Sequence, residues 1–420
     1  MMPENKQCNE MTIEGKRVTI LGVDSLPAGY ADAEAVRHVF AVGCKGIPCS
    51  YGGYETFMDC MTGMKQDSRI LYHVARLAQD KERYEYNHSV VFDIDVPKIG
   101  GGRAVLYDVK ALAHCIRYCR RHPEIQKPVF FIMACRIGPF MRYFHRRIQR
   151  LGGRVYVNPD GHEWLRSKWP APVRRYWKIS ERLMVRDADL LICDSKNIER
   201  YIHEEYGKVK PNTTYISYGS RVMPKDMPED VQQSFAKWLE QHGLARKEYY
   251  LVVGRFVPEN NYETILREFM ASDSKRKLVL ITTENDKLYQ SLNEKLGFER
   301  DPRICFVGTV YQYMLLNLIR QNAYAYIHGH EVGGTNPSLL EALAGTEINL
   351  LLDVGFNREV GEDGARYWTK ETGNLAEMIH ETDHMPCEEI HQLGVRAKDR
   401  IRTSYQWKDI IHQYEETFLS

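Results

Sequence analysis

The chain has 420 residues, of which 43% are apolar and 27% are charged, an ordinary globular composition that is too long for one core and favours two domains. The net charge of only +1 excludes a strongly basic protein that coats nucleic acid over its whole surface. The N-terminus lacks the apolar core of a signal peptide, and no stretch approaches the ~18 uninterrupted apolar residues of a spanning helix, so we expect a soluble or peripheral protein.

In the first half of the chain, short apolar runs alternate with amphipathic stretches. This alternation is typical of a parallel sheet that helices cover on both faces. Turn-forming and charged residues then interrupt the pattern, which places a domain boundary near residue 220. The strands predicted before this boundary are 17–23, 38–43, 89–96, 128–134, 154–158 and 188–195.

The alternation restarts after the boundary and predicts a second α/β unit. Two such domains would place the carboxyl ends of their strands across one cleft, where open parallel sheets hold ligands. We expect an N-terminal extension at 1–36, Rossmann-like domains at 37–220 and 221–387, and a C-terminal helix at 388–420 that packs back towards the first domain. The strands predicted in the second unit are 248–256, 276–282, 303–310, 323–330 and 348–354.

The first loop that could carry chemistry follows the strand predicted at 38–43. Gly52 and Gly53 leave the backbone open immediately before a possible helix, whose free amides would suit a phosphate or a sugar hydroxyl. Tyr51 and Glu55 are predicted on the acceptor side of the same loop. A plain tight turn is the alternative.

The second loop follows the strand predicted at 154–158. Asp160 and His162 are predicted catalytic residues, since a carboxylate or imidazole here could act on an acceptor hydroxyl. Trp164 offers an aromatic surface of the kind that stacks on sugars. A turn aspartate that caps the next helix, with the tryptophan in the core, remains the alternative.

The third loop follows the strand predicted at 248–256. It places Arg255 at a strand end, where a fixed guanidinium can form paired hydrogen bonds to a diphosphate. An ion pair with Glu259 is the alternative.

The stretch "HEVGGTNPSLLEAL", residues 330–343, is the strongest of the four signals. It combines a strand end, two glycines, a cap, a proline suited to a first helical turn and an apolar helix. The amides and the positive dipole end of such a helix favour a phosphate, and an acid one turn further could reach a ribose or sugar hydroxyl. The predicted donor-binding residues here are Gly333, Gly334, Thr335, Asn336, Ser338 and Glu341, of which Glu341 also belongs to the predicted catalytic set.

No metal site is predicted. Asp93 and Asp95 match a metal-binding D-x-D, but they lie within a strand pattern and point the same way, as on an exposed strand face. His328 and His330 could ligate a metal together with His162, yet no further ligand pattern supports this. The ten cysteines have no repeated C-x-x-C spacing and are predicted to be free thiols.

Together, the loops "KGIPCSYGGYETF", "NPDGHEW", "GRFVPENNYETI" and "YAYIHGHEVGGTNPSLLEALA", with "DSKNIERYI", resemble the bacterial rhamnosyltransferases of the family-4 retaining glycosyltransferases. That family has the GT-B fold, and its N-terminal half carries a domain once classed as of unknown function. The resemblance runs from about residue 38 to the C-terminal helix.

This resemblance implies an α/β, GT-B enzyme that transfers L-rhamnose from dTDP-β-L-rhamnose to a sugar on a lipid-diphosphate carrier. The reaction would retain the anomeric configuration, need no bound metal or other cofactor, and serve the assembly of capsular or cell-wall polysaccharide. The same fold with a UDP-hexose donor is one alternative. A non-catalytic module that binds nucleotide sugars or nucleic acid is another, although nucleic acid is not an expected partner of the enzyme.

By position, the resemblance also assigns roles to single residues. Gly52 and Gly53 match the glycine loop near the donor phosphates, Arg255 matches the diphosphate-binding arginine, and Glu341 matches the second acid of the family's E-x7-E pair. Two positions depart from the family: Gly333 stands where the first acid should fall, and Asn260 stands where a lysine is usual.

A basic segment gains a purpose from this resemblance. Residues 117–178 contain fifteen lysines and arginines against three acids. We expect this charge to attract an anionic membrane, so that the enzyme is peripheral on the cytoplasmic face of the plasma membrane. The predicted contact consists of Arg142, Arg146, Arg147 and Arg150, on one helical stretch with Phe140, Met141 and Phe144.

Overall fold

The computed structural model describes residues 10–30, 36–49, 52–166, 168–220 and 227–420. The chain packs into two compact units. The first unit comprises Met1–Trp164, Trp169–Ser217 and Trp407–Ser420, and the second comprises Leu165–Lys168 and Tyr218–Gln406. The structure therefore divides the chain at Ser217, close to the boundary expected at residue 220, and returns its last segment to the first unit.

The first unit is built on a ten-stranded mixed sheet. Its strands are β1 (Glu10–Ile13), β2 (Lys16–Ile20), β3 (Arg37–Val42), β4 (Ile70–Arg76), β5 (Arg83–Tyr86), β6 (Ser89–Asp93), β7 (Val129–Met133), β8 (Arg154–Asn158), β9 (Leu190–Cys193) and β10 (Thr213–Tyr215). Their spatial order is β1-β2-β5-β6-β4-β3-β7-β8-β9-β10, with neighbours parallel from β6 to β10. The parallel strands are buried on both faces, which explains their nearly continuous apolar sequences.

Five helices follow strands of this sheet along the chain and pack against it. They are α1 (Gly53–Gly63), α2 (Arg103–Arg121), α3 (Gly138–Gln149), α4 (Ala171–Asp187) and α5 (Lys196–Tyr206). The β1–β2 hairpin pairs with β5 at the antiparallel end of the sheet. Part of the segment interpreted as an extension, 1–36, thus belongs to the sheet.

The second unit contains a six-stranded parallel sheet in the order β13-β12-β11-β14-β15-β16. Its strands are β11 (Tyr249–Gly254), β12 (Lys277–Thr282), β13 (Ile304–Phe306), β14 (Ala325–His328), β15 (Ile348–Leu352) and β16 (Arg366–Trp368). Its helices are α6 (Glu229–His242), α7 (Tyr262–Ala271), α8 (Asp286–Leu296), α9 (Tyr313–Gln321), α10 (Pro337–Gly345), α11 (Gly355–Gly361), α12 (Asn374–Asp383) and α13 (Cys387–Ser404). The described chain thus has two α/β units, each with a parallel sheet at its centre.

The segment expected to form one C-terminal helix, 388–420, lies in two helices. The first is α13 in the second unit, and the second is α14 (Trp407–Leu419) in the first unit. Aromatic rings fix α14 there, because Tyr414 lies 5.2 Å from Phe57 and Phe418 lies 5.6 Å from Phe131 between ring centroids. The buried Glu415 carboxylate also accepts two backbone hydrogen bonds from the loop before β4.

Each sheet has one switch point, where the chain completes the strands on one side of a central strand and continues with strands on its other side. In the first unit this point lies between β3 and β7, and in the second it lies between β11 and β14. Loops at the carboxyl ends of such strand pairs diverge to opposite faces and leave a crevice that holds ligands in open α/β sheets.

The described cysteines are free thiols, as predicted. Within the described ranges, no helix combines the length and the apolar character needed to cross a bilayer.

Acid should destabilise the fold through its buried histidines. His38 donates to or accepts from His73 across 2.9 Å in the first core, and burial lowers the pKa of His38 to about 4 and that of His328 to about 3. In the unfolded chain these histidines take up protons below pH 6.5, whereas in the folded state they do not. The free energy of unfolding is therefore highest above pH 6.5 and decreases as the pH falls towards 4. Each histidine contributes up to about 1.4 kcal/mol per pH unit.

Urea unfolding at pH 7.5 and pH 5 measures this loss. The double variant His38→Leu/His73→Leu should lose less stability between the two pH values than the unchanged protein. An identical loss in both proteins would show that these two histidines do not titrate with unfolding.

Candidate functional site

Two loops are tied together at the β11–β14 switch point of the second unit. The Glu331 amide donates to the Glu259 carbonyl across 3.1 Å, and the Asn261 side-chain amide donates to the Gly329 carbonyl across 2.8 Å. A Cβ on Gly329 would lie 2.3 Å from the Asn260 carbonyl oxygen, so the two backbones approach too closely for any other residue. The loops after β11 and β14 thus form one joined surface.

Asn260, which stands where the resembling family has a lysine, is part of this joint. Its Nδ2 donates to the Arg255 carbonyl across 2.7 Å, and its Oδ1 lies 2.8 Å from Nδ1 of His330. The residue therefore shapes the loop that carries Arg255 and connects it to the loop after β14. The positive charge of the usual lysine has no counterpart at this position.

Arg255 lies directly after β11 and is exposed. Burial, together with the positive charges of Arg166 and Arg255, lowers the pKa of the adjacent His330 to about 3. His330 is therefore neutral near pH 7, and the positive charge at this point comes from the two arginines. Arg166 belongs to the short segment Leu165–Lys168 of this unit, and no motif in the sequence pointed to it.

In the glycine-rich stretch before α10, only some of the backbone amides are available to bind a ligand. Asn336 is the N-cap, and its side chain accepts a hydrogen bond from the Ser338 amide across 2.9 Å. Gly333 has a φ of 125°, which a side chain would strain. Within the described ranges, the Gly333 and Gly334 amides donate no hydrogen bond to another residue. An anion here would thus meet loop amides before it meets the capped first turn of the helix.

Glu341 is held by a buried arginine from α9. Its Oε2 lies 2.7 Å from Nη1 of Arg320, whose side chain is 1% exposed. Nη2 of Arg320 also donates to the Ser338 hydroxyl across 3.2 Å. The Glu341 side chain remains 22% exposed, so one part of the carboxylate is fixed and another part can be reached. Thr335, the remaining residue of the predicted donor set, is buried.

The glycine loop of the first unit follows β3 and ends at α1. Gly52 is the N-cap of α1 with a φ of 126°, and a Cβ there would lie 1.9 Å from Oε2 of Glu55. Oε1 of Glu55 accepts a hydrogen bond from the Lys45 amide across 2.7 Å. Glu55 is therefore engaged within its own loop, whereas a Cβ on Gly53 would meet open space. Tyr51 lies outside the described residues.

The loop after β8 has an unusual backbone. Asp160, Gly161 and His162 all have positive φ, at 60°, 82° and 56°, which is costly for the two residues with side chains. The Asp160 amide donates to the Asn158 side chain across 2.9 Å. The N-cap of α4 is Pro170, so Asp160 does not cap that helix. The strained turn persists where surrounding structure imposes it, which is typical of functional loops.

His162 and Trp164 belong to an aromatic cluster around Lys178. The His162 ring lies 4.2 Å from the Tyr201 ring, and the Trp164 indole donates to the Tyr201 hydroxyl across 3.2 Å. Lys178 Nζ lies 4.4 Å from the centre of the Trp164 ring. Tyr201 in turn donates to the buried Glu181 carboxylate across 2.5 Å. Burial, with the charge of Lys178, lowers the pKa of His162.

The basic helix α3 presents a different set of apolar residues from the one expected. Arg142, Arg146 and Arg150 are exposed and Arg147 is half-buried. Met141 and Phe144 were expected at the membrane contact, but they are buried because they face the core of the unit. Phe140, which was also expected there, is exposed at 44%, and Tyr143 is exposed at 57%.

The rival metal ligands have protein partners. Asp93 is held by Arg76, with Oδ1 2.6 Å from Nε, and its side chain is 0% exposed. His328 Nδ1 lies 3.3 Å from the Tyr326 hydroxyl. Across the described part of the chain, no group of three or more histidines, cysteines or acids could hold a metal ion.

Comparison with known proteins identifies the fold. Residues 36–221 match a family described as "Domain of unknown function (DUF1972)". No curated protein matches the sequence. Sucrose-phosphate synthase from Thermosynechococcus elongatus is 15% identical with a TM-score of 0.70, over 91% of this chain and 98% of that one.

Two other similar structures extend this comparison. HepE from Anabaena, solved in complex with UDP and glucose, is 14% identical with a TM-score of 0.67, over 92% of this chain and 100% of that one. Trehalose 6-phosphate synthase from Burkholderia multivorans is 12% identical with a TM-score of 0.65, over 92% of this chain and 96% of that one. These neighbours are GT-B glycosyltransferases, and the chain has the GT-B fold predicted from its sequence.

Proposed function

We propose that the protein is a retaining glycosyltransferase that moves L-rhamnose from dTDP-β-L-rhamnose to a sugar on a lipid-diphosphate carrier. The observation that carries the donor half of this proposal is the β11–β14 switch point. There, exposed Arg255 and the open amides of the Gly333–Gly334 loop lie on two loops joined by Asn260 and Asn261. This combination of a guanidinium and backbone amides suits a diphosphate.

The chemistry follows from this placement of charge. As the bond between the sugar and the diphosphate breaks, negative charge grows on the leaving oxygen, and Arg255 with the loop amides would stabilise it. The acceptor hydroxyl would attack from the same face and pass its proton to the leaving phosphate oxygen, so that the new glycosidic bond retains the configuration. Glu341, anchored by Arg320, would orient a donor hydroxyl through its reachable oxygen. No metal is needed in this account.

A UDP-hexose is the alternative donor. HepE was solved with UDP-glucose and with UDP and glucose, and it shares this fold. The rhamnose assignment rests on the resemblance of the loops, so the donor base and sugar need a direct test.

Donor-dependent turnover tests the proposal. The purified protein is incubated separately with dTDP-rhamnose, UDP-glucose and UDP-N-acetylglucosamine, with and without a synthetic lipid-diphosphate glucose or N-acetylglucosamine acceptor, and the released nucleotide is measured. We expect release from dTDP-rhamnose only when acceptor is present. Release from a UDP-sugar instead would show that the donor is not dTDP-rhamnose. No nucleotide release from any of the three donors would contradict transfer of these sugars.

Asp160 is proposed to contact the acceptor. Asp160→Asn should reduce transfer roughly a hundredfold, as expected when the acceptor hydroxyl is no longer held in position, while leaving the donor dissociation constant unchanged. The matched control is Asp95→Asn, which removes an exposed carboxylate from the same unit. Weakened donor binding in Asp160→Asn would contradict an acceptor role.

The exposed basic face of α3 is proposed to bind the anionic membrane that carries the acceptor. Replacing Arg142, Arg146 and Arg150 with glutamine should weaken flotation with phosphatidylglycerol vesicles by about 3 kcal/mol, or roughly a hundredfold, at low salt. The matched control replaces three exposed arginines of α2: Arg117, Arg120 and Arg121. Equal binding by both triple variants, or equal binding to phosphatidylcholine, would contradict the proposed face.

A further inference from the structure

A positively charged side chain, that of Arg136, lies at the β3–β7 switch point of the first unit and has no part in the donor and acceptor contacts proposed so far. Arg136 follows β7, and its Nη1 donates to the Gly43 carbonyl, directly after β3, across 2.7 Å. The guanidinium therefore bridges the two strands whose loops diverge, at the place where open sheets hold ligands. The Arg136 side chain is 19% exposed, so it can be reached from outside.

A buried acid holds this guanidinium. Oδ2 of Asp108, on α2, lies 3.2 Å from Nη1 of Arg136, and the Asp108 side chain is 0% exposed. Its other oxygen, Oδ1, is also buried and accepts no hydrogen bond within the described ranges. Burial alone would lower the pKa of Arg136, but Asp108 raises it, so the guanidinium stays charged. A buried ion pair is weak evidence for a gain in stability, so the pair with Asp108 does not by itself explain a charged residue at this position.

The two remaining nitrogens of the Arg136 guanidinium can bind an anion. Nη1 makes both contacts, while Nε and Nη2 donate to no residue in the part of the chain that is described. Those two groups form the planar fork that pairs with two phosphate oxygens. Arg136 is thus anchored at one nitrogen and open at the other two.

The start of helix α1 near Arg136 favours the same ligand. Tyr54, in the first turn of α1, and Asp160 lie near enough to raise the pKa of Arg136, so the guanidinium keeps its charge, and a bound phosphate would compete with the Asp160 carboxylate for it. The eleven-residue helix α1 starts at Gly53 without a side-chain cap, beside the open space at that glycine. Uncapped amides of a helix start favour negative charge near them.

We propose that Arg136 is an anion-binding residue that holds a phosphate group at the β3–β7 switch point of the first unit. The phosphate belongs either to the diphosphate of the nucleotide-sugar donor or to the lipid diphosphate of the acceptor. The identity of these two substrates rests on the proposed function, whereas the anion site itself can be tested without turnover.

The first measurement is the binding of inorganic pyrophosphate to the full-length protein by calorimetry. All proteins carry Arg255→Gln, which removes the cation at the other switch point. Arg136→Lys keeps a charge opposite Asp108 but loses the fork, and Arg136→Gln/Asp108→Asn removes both charges together, so that no unpaired acid is left buried. We expect both to weaken pyrophosphate binding roughly ten- to a hundredfold.

Arg154→Gln is the matched control, since it changes an exposed arginine at the amino end of β8, at the opposite edge of the sheet. Unchanged pyrophosphate affinity in both Arg136 variants, or no pyrophosphate binding by the Arg255→Gln protein itself, would overturn the proposal. Equal weakening by Arg154→Gln would overturn it as well.

Two further readouts, in protein with the native Arg255, identify the source of the phosphate. A weaker affinity of Arg136→Lys for dTDP assigns the group to the donor. An unchanged dTDP affinity with a raised KM for the lipid-diphosphate acceptor assigns it to the acceptor. If no sugar is transferred from any donor, the proposed function fails, and the pyrophosphate comparison still decides the role of Arg136.

Discussion

Arg320→Met should unfold the second unit more easily and abolish donor binding. Arg320 is 1% exposed and lies 2.7 Å from the Glu341 carboxylate, so its removal leaves that acid without its partner. Breaking such a pair costs about 3–5 kcal/mol of the free energy of unfolding. It also removes the hydrogen bond to the Ser338 hydroxyl, which helps fix the first turn of α10. Urea unfolding and nucleotide calorimetry measure the two effects.

A second variant separates the structural role of Glu341 from its proposed contact with the donor. Arg320→Met/Glu341→Gln removes both charges, and it should recover most of the lost stability because no unpaired acid remains. Its affinity for the donor should stay low, since the Glu341 carboxylate is absent. Recovery of donor affinity together with stability would show that Glu341 serves only as the partner of Arg320.

Arg255→Gln should leave the fold intact and reduce kcat/KM roughly a hundredfold or more. The side chain is exposed, so its loss leaves no buried charge unpaired. The proposed role of Arg255 is to stabilise the leaving diphosphate, and removal of one such group typically costs about two to three orders of magnitude in rate. Steady-state kinetics with varied donor, alongside thermal unfolding, provides the measurement.

The matched control for this change is Arg246→Gln. Arg246 is also exposed and lies before β11, at the opposite end of the strand, where it donates to the Asn322 side chain. Its replacement should leave kcat/KM unchanged. Equal losses in the two variants, or normal activity in Arg255→Gln, would refute the assignment of Arg255 to the diphosphate.

Most of the fold could be read from local pattern, because strands buried on both faces give continuous apolar runs. The run 348–354 predicted β15, and 128–134 predicted β7, each within a few residues. The pattern missed β4, "ILYHVAR", because His73 and Arg76 break the apolar run although the strand is nearly all buried. His73 is accommodated there by His38 on the neighbouring strand, and that pairing cannot be seen in either segment alone.

In the candidate site, too, local sequence predicts the loops but not the contacts between distant segments. Strand ends followed by glycines located the loops of Gly52 and Gly333, because such loops need an open backbone. Other side chains of the second unit find their partners in distant segments: Glu341 pairs with Arg320 from α9, and Asn260 pairs with His330 from the loop after β14. Arg136 was hidden in the same way, since only the order of the strands brings it beside Gly43.

The exposed face of α3 shows a limit of helical periodicity. The sequence placed Met141 and Phe144 with the arginines because all lie on one short helix. The structure turns both residues into the core, since an amphipathic helix buries its most continuous apolar stripe. Tyr143, which has an aromatic ring and a polar hydroxyl group, is exposed at the surface in their place.

The stoichiometry of transfer tests the proposed reaction most directly. The nucleoside diphosphate released and the glycosylated lipid acceptor formed are measured in one reaction with dTDP-rhamnose. We expect equal amounts of the two products, and neither product when acceptor is omitted. Nucleotide release without glycosylated acceptor, or tight nucleotide binding without release, would contradict glycosyl transfer to this acceptor.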